Sequence, residues 1–98
     1  MEFQVHSIHF DADVKLIDHI NERMKKLDLF FDHITDGEVF LRLDKSDVNE
    51  NKITEIKVNV PGKELFAKKQ CKTFEEATDT AIEALRQQII KHKEKMRG

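Results

Sequence analysis

The chain has 98 residues, of which 39% are hydrophobic and 37% charged, and its formal net charge is −2. This size suits one domain with a single modest core, and the acidic balance excludes nucleic-acid binding over the whole surface, so any such site must be a local patch. The lone Cys71 excludes an internal disulfide, no apolar stretch approaches the roughly 20 residues of a membrane span, and the first residues lack the pattern of a signal peptide, so we expect a soluble cytoplasmic protein.

The first third of the chain predicts a strand and a helix. Residues 2–8 alternate weakly between apolar and polar positions, which is typical of a strand. Asp11 and Asp13 follow, and a short carboxylate there can accept hydrogen bonds from the free amides of a first helical turn. Residues 14–29 repeat apolar side chains at spacings of three and four, which predicts an amphipathic helix that ends at residues 30–33.

The remainder predicts three strands and one long helix. Asp36 and Gly37 indicate a turn before the first of these strands. Thr73 begins the long helix with a capping box, in which its hydroxyl meets the third amide of the helix and Glu76 reaches back. The alternating strands are residues 38–45, 53–60 and 64–70, joined by the polar residues 46–51 and by a tight connection at residues 61–63.

The order of elements is therefore β-α-β-β-β-α. Three antiparallel strands in sequence leave one apolar face that needs cover, and two amphipathic helices can supply it. We predict an α+β two-layer sandwich over residues 1–98, with a four-stranded sheet and both helices packed on one face.

Signals of catalysis or metal binding have simpler explanations. His6 and His9 are spaced like a metal pair, but residues three apart on a strand face opposite sides of it. Residues 47–51 resemble the start of a calcium loop, yet the required glycine is Lys52 and strands flank the segment. We therefore predict that the protein is not an enzyme and that it uses no metal, no cofactor and no small-molecule substrate.

Basic residues cluster on both predicted helices. The stripe on the first helix, taken alone, is explained by ordinary solvated surface, whereas five basic side chains at the end of the last helix exceed what its macrodipole explains. If both helices lie on one face of the sheet, the stripes merge into a groove that grips backbone phosphates without reading bases. The first helix carries Lys15, His19, Arg23, Lys25 and Lys26, the last carries Lys91, His92, Lys93, Lys95 and Arg97, and Lys68, Lys69 and Lys72 add charge between them.

The aromatic residues do not predict stacking on single strands. The chain has seven Phe and neither Trp nor Tyr, and the Phe residues fall mostly at predicted core positions or helix ends. We therefore expect recognition of folded RNA by shape and charge, and no aromatic platform on the sheet.

Four segments carry a family resemblance over nearly the whole chain. They are Lys26-Leu27 leading into residues 31–34 (Phe-Asp-His-Ile), residues 39–45, residues 60–65 (Val-Pro-Gly-Lys-Glu-Leu) and residues 85–96, which contain Lys-His-Lys-Glu-Lys. In these segments the chain resembles the ribosome hibernation promoting factor family, also called ribosome-associated inhibitors or ribosomal subunit interface proteins. The fold of that family is β-α-β-β-β-α, in agreement with the pattern above.

The resemblance implies a translational silencer of starvation or stationary phase. Such a protein binds the small ribosomal subunit at the decoding channel and blocks messenger RNA and tRNA sterically, with a separate ribosome-dimerising factor left open as a helper. The chain looks like the short form of the family, without its second domain. The implied contacts to rRNA phosphates are Arg23, Lys26, Lys45, Lys91, His92, Lys93 and Lys95, together with Arg86, which stands one residue before the family arginine, where this chain has Gln87.

Three other functions remain open from the residues alone. A general double-stranded RNA-binding module would use the same basic stripes without a preference for ribosomes. A metal-dependent hydrolase would use the His and Asp residues near the N-terminus. A structural interaction protein would dock the basic tip of the last helix, residues 91–97, on an acidic protein.

Overall fold

The computed structural model describes residues 2–45 and 49–97, and for residues 96 and 97 the backbone alone. Residues 46–48 of the predicted polar connection therefore lie outside the described residues. The elements are β1 (Glu2–Ser7), α1 (Val14–Phe30), β2 (Asp36–Leu43), β3 (Lys52–Val60), β4 (Lys63–Cys71) and α2 (Phe74–Arg97). The predicted order of strands and helices is confirmed.

The four strands form one sheet in the order β1-β2-β3-β4. β1 runs parallel to β2, so α1 is the crossover that a parallel pair requires, and the other neighbours are antiparallel. The connection from β3 to β4 is the pair Pro61-Gly62, and Gly62 has a φ of 79°. That left-handed conformation suits glycine at the second central position of a tight turn.

Both helices cover the same face of the sheet. The apolar stripes of α1 and α2 meet the inward residues of the strands in one core, which confirms the predicted two-layer α+β sandwich. The residues buried there include Leu16, Ile20, Met24 and Leu27 of α1, Val39, Leu41, Ile56, Val58 and Leu65 of the sheet, and Ala81, Leu85 and Ile89 of α2.

Both helices begin at predicted N-caps, although the reciprocal bond from the Thr73 amide to the Glu76 side chain is not present among the described residues. Asp13 Oδ1 accepts from the Leu16 amide at 2.8 Å, and Thr73 Oγ1 accepts from the Glu76 amide at 3.1 Å. Each bond satisfies a first-turn amide that has no partner within its own helix. The caps also fix where the chain turns from strand to helix.

The direction of the strands decides how the helices run. β4 and β1 both run parallel to β2, and each strand is followed by a helix that packs back along the sheet. Both helices therefore begin at the same end of the molecule and run side by side. The molecule is elongated, with extents of 46 × 24 × 17 Å.

The start of β2 differs from the prediction. Asp36 and Gly37 are not a turn but the first residues of the strand, and Gly37 is buried. A Cβ on Gly37 would lie 3.2 Å from Val58 Cγ1 and 3.3 Å from the Lys57 carbonyl oxygen. The glycine therefore permits a close approach of β2 to β3 rather than a reversal of the chain.

Two features of the sheet differ from the sequence pattern. Leu43 continues the alternation of Val39 and Leu41, which predicts a buried side chain, but it is 45% exposed at the end of β2, where the cover of the helices stops. Phe40 and Phe66 lie on strands and face away from the helices, and Phe66 is 49% exposed. His6 stacks on Phe40 with ring centroids 4.9 Å apart, so the open face of the sheet does carry aromatic rings.

The outer edge of β4 is partly closed by α2. The Gln88 side chain donates its Nε2 hydrogen to the Phe66 carbonyl oxygen at 2.8 Å. This bond ties the second half of α2 to the edge strand. Neither helix of the described chain has the length and apolarity needed to cross a bilayer.

Candidate nucleic-acid interface

The parallel packing of α1 and α2 creates a surface groove between them. The groove has a volume of ≈400 Å³. Its floor is apolar, because Leu27 and Ile82 are buried there, and its walls are charged. The lining residues are Arg23, Lys26, Leu27 and Phe30 from α1 and Asp79, Ile82, Glu83 and Arg86 from α2.

At one end of the groove, a carboxylate of α2 holds two basic residues of α1. Arg23 Nε donates to Asp79 Oδ1 at 2.9 Å, and His19 Nε2 lies 2.9 Å from the same oxygen. His19 and Arg23 are one helical turn apart, so Asp79 can contact both. The bond occupies Nε of Arg23, and the other guanidinium donors can still bind an anion.

Toward the other end of the groove, cations of α2 lie over aromatic rings of α1. Arg86 Cζ is 4.6 Å from the ring centroid of Phe30, and Arg86 Nη1 donates to Glu83 Oε2 over 3.4 Å. Lys93 Nζ is 5.6 Å from the Phe30 ring and 4.8 Å from the Phe31 ring. These distances are within the range of cation–π attraction.

The basic tip of α2 points its side chains in different directions. Lys93 reaches over Phe30 and Phe31 of α1, and Lys91, Lys93 and Lys95 are all exposed to solvent. His92 is half-buried, and its Nε2 is buried without a hydrogen-bond partner among the described residues. The tip therefore keeps its ammonium groups in solvent, while His92 packs against the rest of the fold.

The structure brings some predicted residues together and separates others. Arg23, Lys26 and Arg86 line the groove, and Lys93 continues the row past Phe30. Lys45 is exposed just beyond β2, at the end of the molecule where both helices begin, and so lies apart from the basic tip. The side chain of Arg97 is outside the described residues.

The three lysines between the helices in sequence, Lys68, Lys69 and Lys72, do not line the groove. Lys68 faces away from the helices and lies 3.9 Å from Glu55, which also contacts Arg42 at 3.5 Å. Lys72 is exposed between β4 and α2, beside Asn49 and Glu50 of the β2–β3 connection. Their charge does not merge with that of the helix stripes.

Sequence reasoning missed three residues that shape the groove. In the sequence, Phe30 and Phe31 mark only the end of the predicted first helix, and Asp79 is one of four acidic residues in the first half of the last helix. The available signal was the adjacency of two aromatic residues to a basic stripe. Its meaning depends on the parallel packing of the helices, which places Phe30 beside Arg86 and Asp79 beside Arg23.

Known proteins match this chain along nearly its full length. The family model described as "Sigma 54 modulation protein / S30EA ribosomal protein" matches residues 3–97. A ribosome hibernation promoting factor of Pseudomonas putida is 27% identical over 98 residues, which are 100% of this chain and 92% of that protein. A protein of the same name from Azotobacter vinelandii is 30% identical over 95 residues, 97% of this chain and 85% of that one.

A solved structure supports the same fold. The ribosomal subunit interface protein from Coxiella burnetii superposes with a TM-score of 0.85 at 19% identity, over 95% of this chain and 98% of that one. At this identity the likeness concerns the fold, and it agrees with the β-α-β-β-β-α order and the side-by-side helices described above.

Proposed function

The chain belongs to the Sigma 54 modulation protein / S30EA ribosomal protein family, which confirms the resemblance seen in the sequence, and from this premise we propose that it is a ribosome hibernation factor. It binds the small ribosomal subunit at the decoding channel and excludes messenger RNA and tRNA, and so silences translation in starved or stationary cells. The proposed place of action is the cytoplasm, where ribosomes are found. The relatives named above as ribosome hibernation promoting factors support this role.

The groove between α1 and α2 is the observation that carries the proposal. Arg23, Lys26 and Arg86 line it together with Asp79 and Glu83, and Lys93 continues the row of cations past Phe30, although the chain as a whole has a net charge of −2. A local row of Arg and Lys on two rigid helices attracts backbone phosphates and releases their counterions, and this attraction does not depend on base sequence. The proposed contacts to rRNA phosphates are Arg23, Lys26, Lys45, Arg86, Lys91, His92, Lys93 and Lys95.

Inhibition by this mechanism makes and breaks no covalent bond. The protein occupies an RNA-lined channel, and the ligands that need the same channel are excluded while it is bound. The elongated molecule, 46 Å in its longest dimension, allows contacts at both ends, with Lys45 at one and the tip of α2 at the other. Affinity for the ribosome therefore sets the degree of silencing.

Co-sedimentation with ribosomes tests the proposal. The protein is run on sucrose gradients with purified ribosomes, with isolated small subunits, and with ribosomes already filled with messenger RNA and tRNA. We expect it to migrate with empty ribosomes and small subunits and to remain at the top when the channel is filled. Failure to co-sediment at low salt would contradict the proposal, and equal binding to a long RNA duplex would favour a general duplex-binding module instead.

A further inference from the structure

Phe30, the last residue of α1, lies between two cations of α2. Its ring centroid is 4.6 Å from Arg86 Cζ and 5.6 Å from Lys93 Nζ. Arg86 and Lys93 are seven residues apart, which is roughly 10 Å along a helix axis. One aromatic ring therefore bridges two charged side chains that would otherwise move independently. Phe30 is 36% exposed, and Arg86 and Lys93 are exposed as well, so the two cations remain open to solvent.

The ring holds these cations differently from the way carboxylates hold the other groove cations. Arg23 is paired with Asp79 at 2.9 Å and Lys26 with Glu22 at 3.6 Å, and each carboxylate cancels charge that a phosphate would need. A cation over a ring keeps its full charge, and the N–H groups at its edge stay available. Lys93 is thus restrained by the Phe30 and Phe31 rings without being neutralised, whereas Arg86 rests on Phe30 and also contacts Glu83 Oε2 at 3.4 Å.

Restraint matters because Arg and Lys are long and flexible. A phosphate that binds a free side chain must also order it, and the lost rotamer freedom weakens binding. A side chain that already rests on a ring has lost part of this freedom before the phosphate arrives. The sheet offers a contrast in Phe66, which is also exposed but over whose ring no cation of the described residues lies.

We propose that Phe30 is the positioning residue of the interface, which holds Arg86 and Lys93 side by side so that their free N–H groups grip two phosphates of the ribosomal RNA. This inference rests on the proposed function. It assigns to an apolar residue a share of the affinity for a polyanion, although the residue itself offers no hydrogen bond to a phosphate.

Three substitutions separate positioning from packing. Phe30→Leu keeps an apolar side chain at the end of α1 but removes the π face, Phe30→Tyr keeps the face, and Phe66→Leu is the matched control on the other side of the sheet. We expect Phe30→Leu to weaken ribosome binding about tenfold, since two cation–π contacts and the order they impose are lost. We expect Phe30→Tyr and Phe66→Leu to stay within about twofold of the parent by the same reasoning.

Two readouts distinguish the positioning role from a structural one. In the free protein, NMR should show the Lys93 side-chain methylenes shifted upfield by the rings, with the shift reduced in Phe30→Leu and retained in Phe30→Tyr. Binding should be non-additive when Phe30→Leu is combined with Arg86→Gln, since residues in contact share their interaction energy. Additive losses, or a Phe30→Leu variant that folds and binds like the parent, would overturn the inference.

The experiment also separates this inference from the proposed function. Each variant is tested against ribosomes and against an RNA duplex by salt titration. If the parent binds only the duplex and Phe30→Leu alone weakens it, the proposed ribosomal role fails while the positioning role stands. If the parent binds both and Phe30→Leu changes neither, the positioning role fails while the ribosomal role stands, and binding to neither RNA overturns both.

Discussion

Arg23 and Asp79 lie 56 residues apart in the chain and are joined by a bond of 2.9 Å between Nε and Oδ1. His19 approaches the same oxygen, so one carboxylate of α2 fixes the register of a full turn of α1. The contact lies beside the groove and links the fold to the proposed interface, because any shift between the helices would also move Arg86 relative to Phe30.

Loss of the Asp79 carboxylate should loosen the helix pair. We expect Asp79→Asn to lower the free energy of unfolding by about 0.5–1 kcal/mol, a value kept small because the groups are partly exposed and screened by solvent. Urea denaturation followed by circular dichroism measures the change. Asp18→Asn, at an exposed position of α1, is the matched control, and an equal effect of both substitutions would show that the contact across the helices contributes nothing.

Charge reversal at the tip of α2 should abolish binding to ribosomes. We expect Lys91→Glu with Lys93→Glu to weaken affinity at least about 100-fold, since phosphate contacts are lost and repulsion replaces them. Gradient co-sedimentation measures the loss, with circular dichroism to verify folding. Lys63→Glu with Lys72→Glu changes the net charge equally at exposed positions outside the groove, and comparable loss in that variant would assign the effect to total charge alone.

The two ends of the molecule should contribute independently to affinity. Lys45 and Lys91 lie at opposite ends of the elongated fold, and distant substitutions usually add in free energy. We expect Lys45→Gln and Lys91→Gln to lower the slope of log affinity against log salt by roughly 0.7–0.9 each, and the double variant by the sum. An unchanged slope in Lys45→Gln would remove that residue from the interface and confine binding to the helices.

Added volume at Gly37 should destabilise the sheet. Gly37→Ala places a Cβ against Val58 and the Lys57 carbonyl, which is backbone and cannot move away easily. We expect a loss of about 1–3 kcal/mol in the free energy of unfolding from this overpacking. Thermal denaturation compares it with Gly62→Ala, where a Cβ meets open space and the strain comes from the positive φ alone. A stabilised Gly37→Ala variant would mean that strand propensity outweighs the contact.

Local patterns were sufficient for most of the fold. The caps at Asp13 and Thr73 and the apolar periodicity of the helices depend on residues close in sequence, and the structure has them as predicted. The turn assigned to Asp36 and Gly37 was wrong, because the need for glycine there comes from a neighbouring strand. Contacts between distant elements cannot be seen in the spacing of nearby residues.

The candidate site, like the fold, could be predicted from the sequence only in part. Basic stripes are visible in the sequence, so Arg23, Lys26 and Lys93 could be proposed from it. Whether a given cation is paired with a carboxylate or rests on a ring depends on the partner helix, and the roles of Asp79 and Phe30 could therefore not be predicted. The parallel direction of the two helices supplies that information, and it follows only from the pairing of all four strands.

The bond from Gln88 to the Phe66 carbonyl affects how readily the protein self-associates at high concentration. An unpaired edge strand is a template on which strands of other molecules can add, and such growth leads to aggregates. An incoming strand that pairs along β4 must first displace the Gln88 amide, which already occupies an edge carbonyl at 2.8 Å. The side chain that anchors α2 thus also hinders the addition of a strand along β4. The other edge of the sheet is the short strand β1, which has six residues.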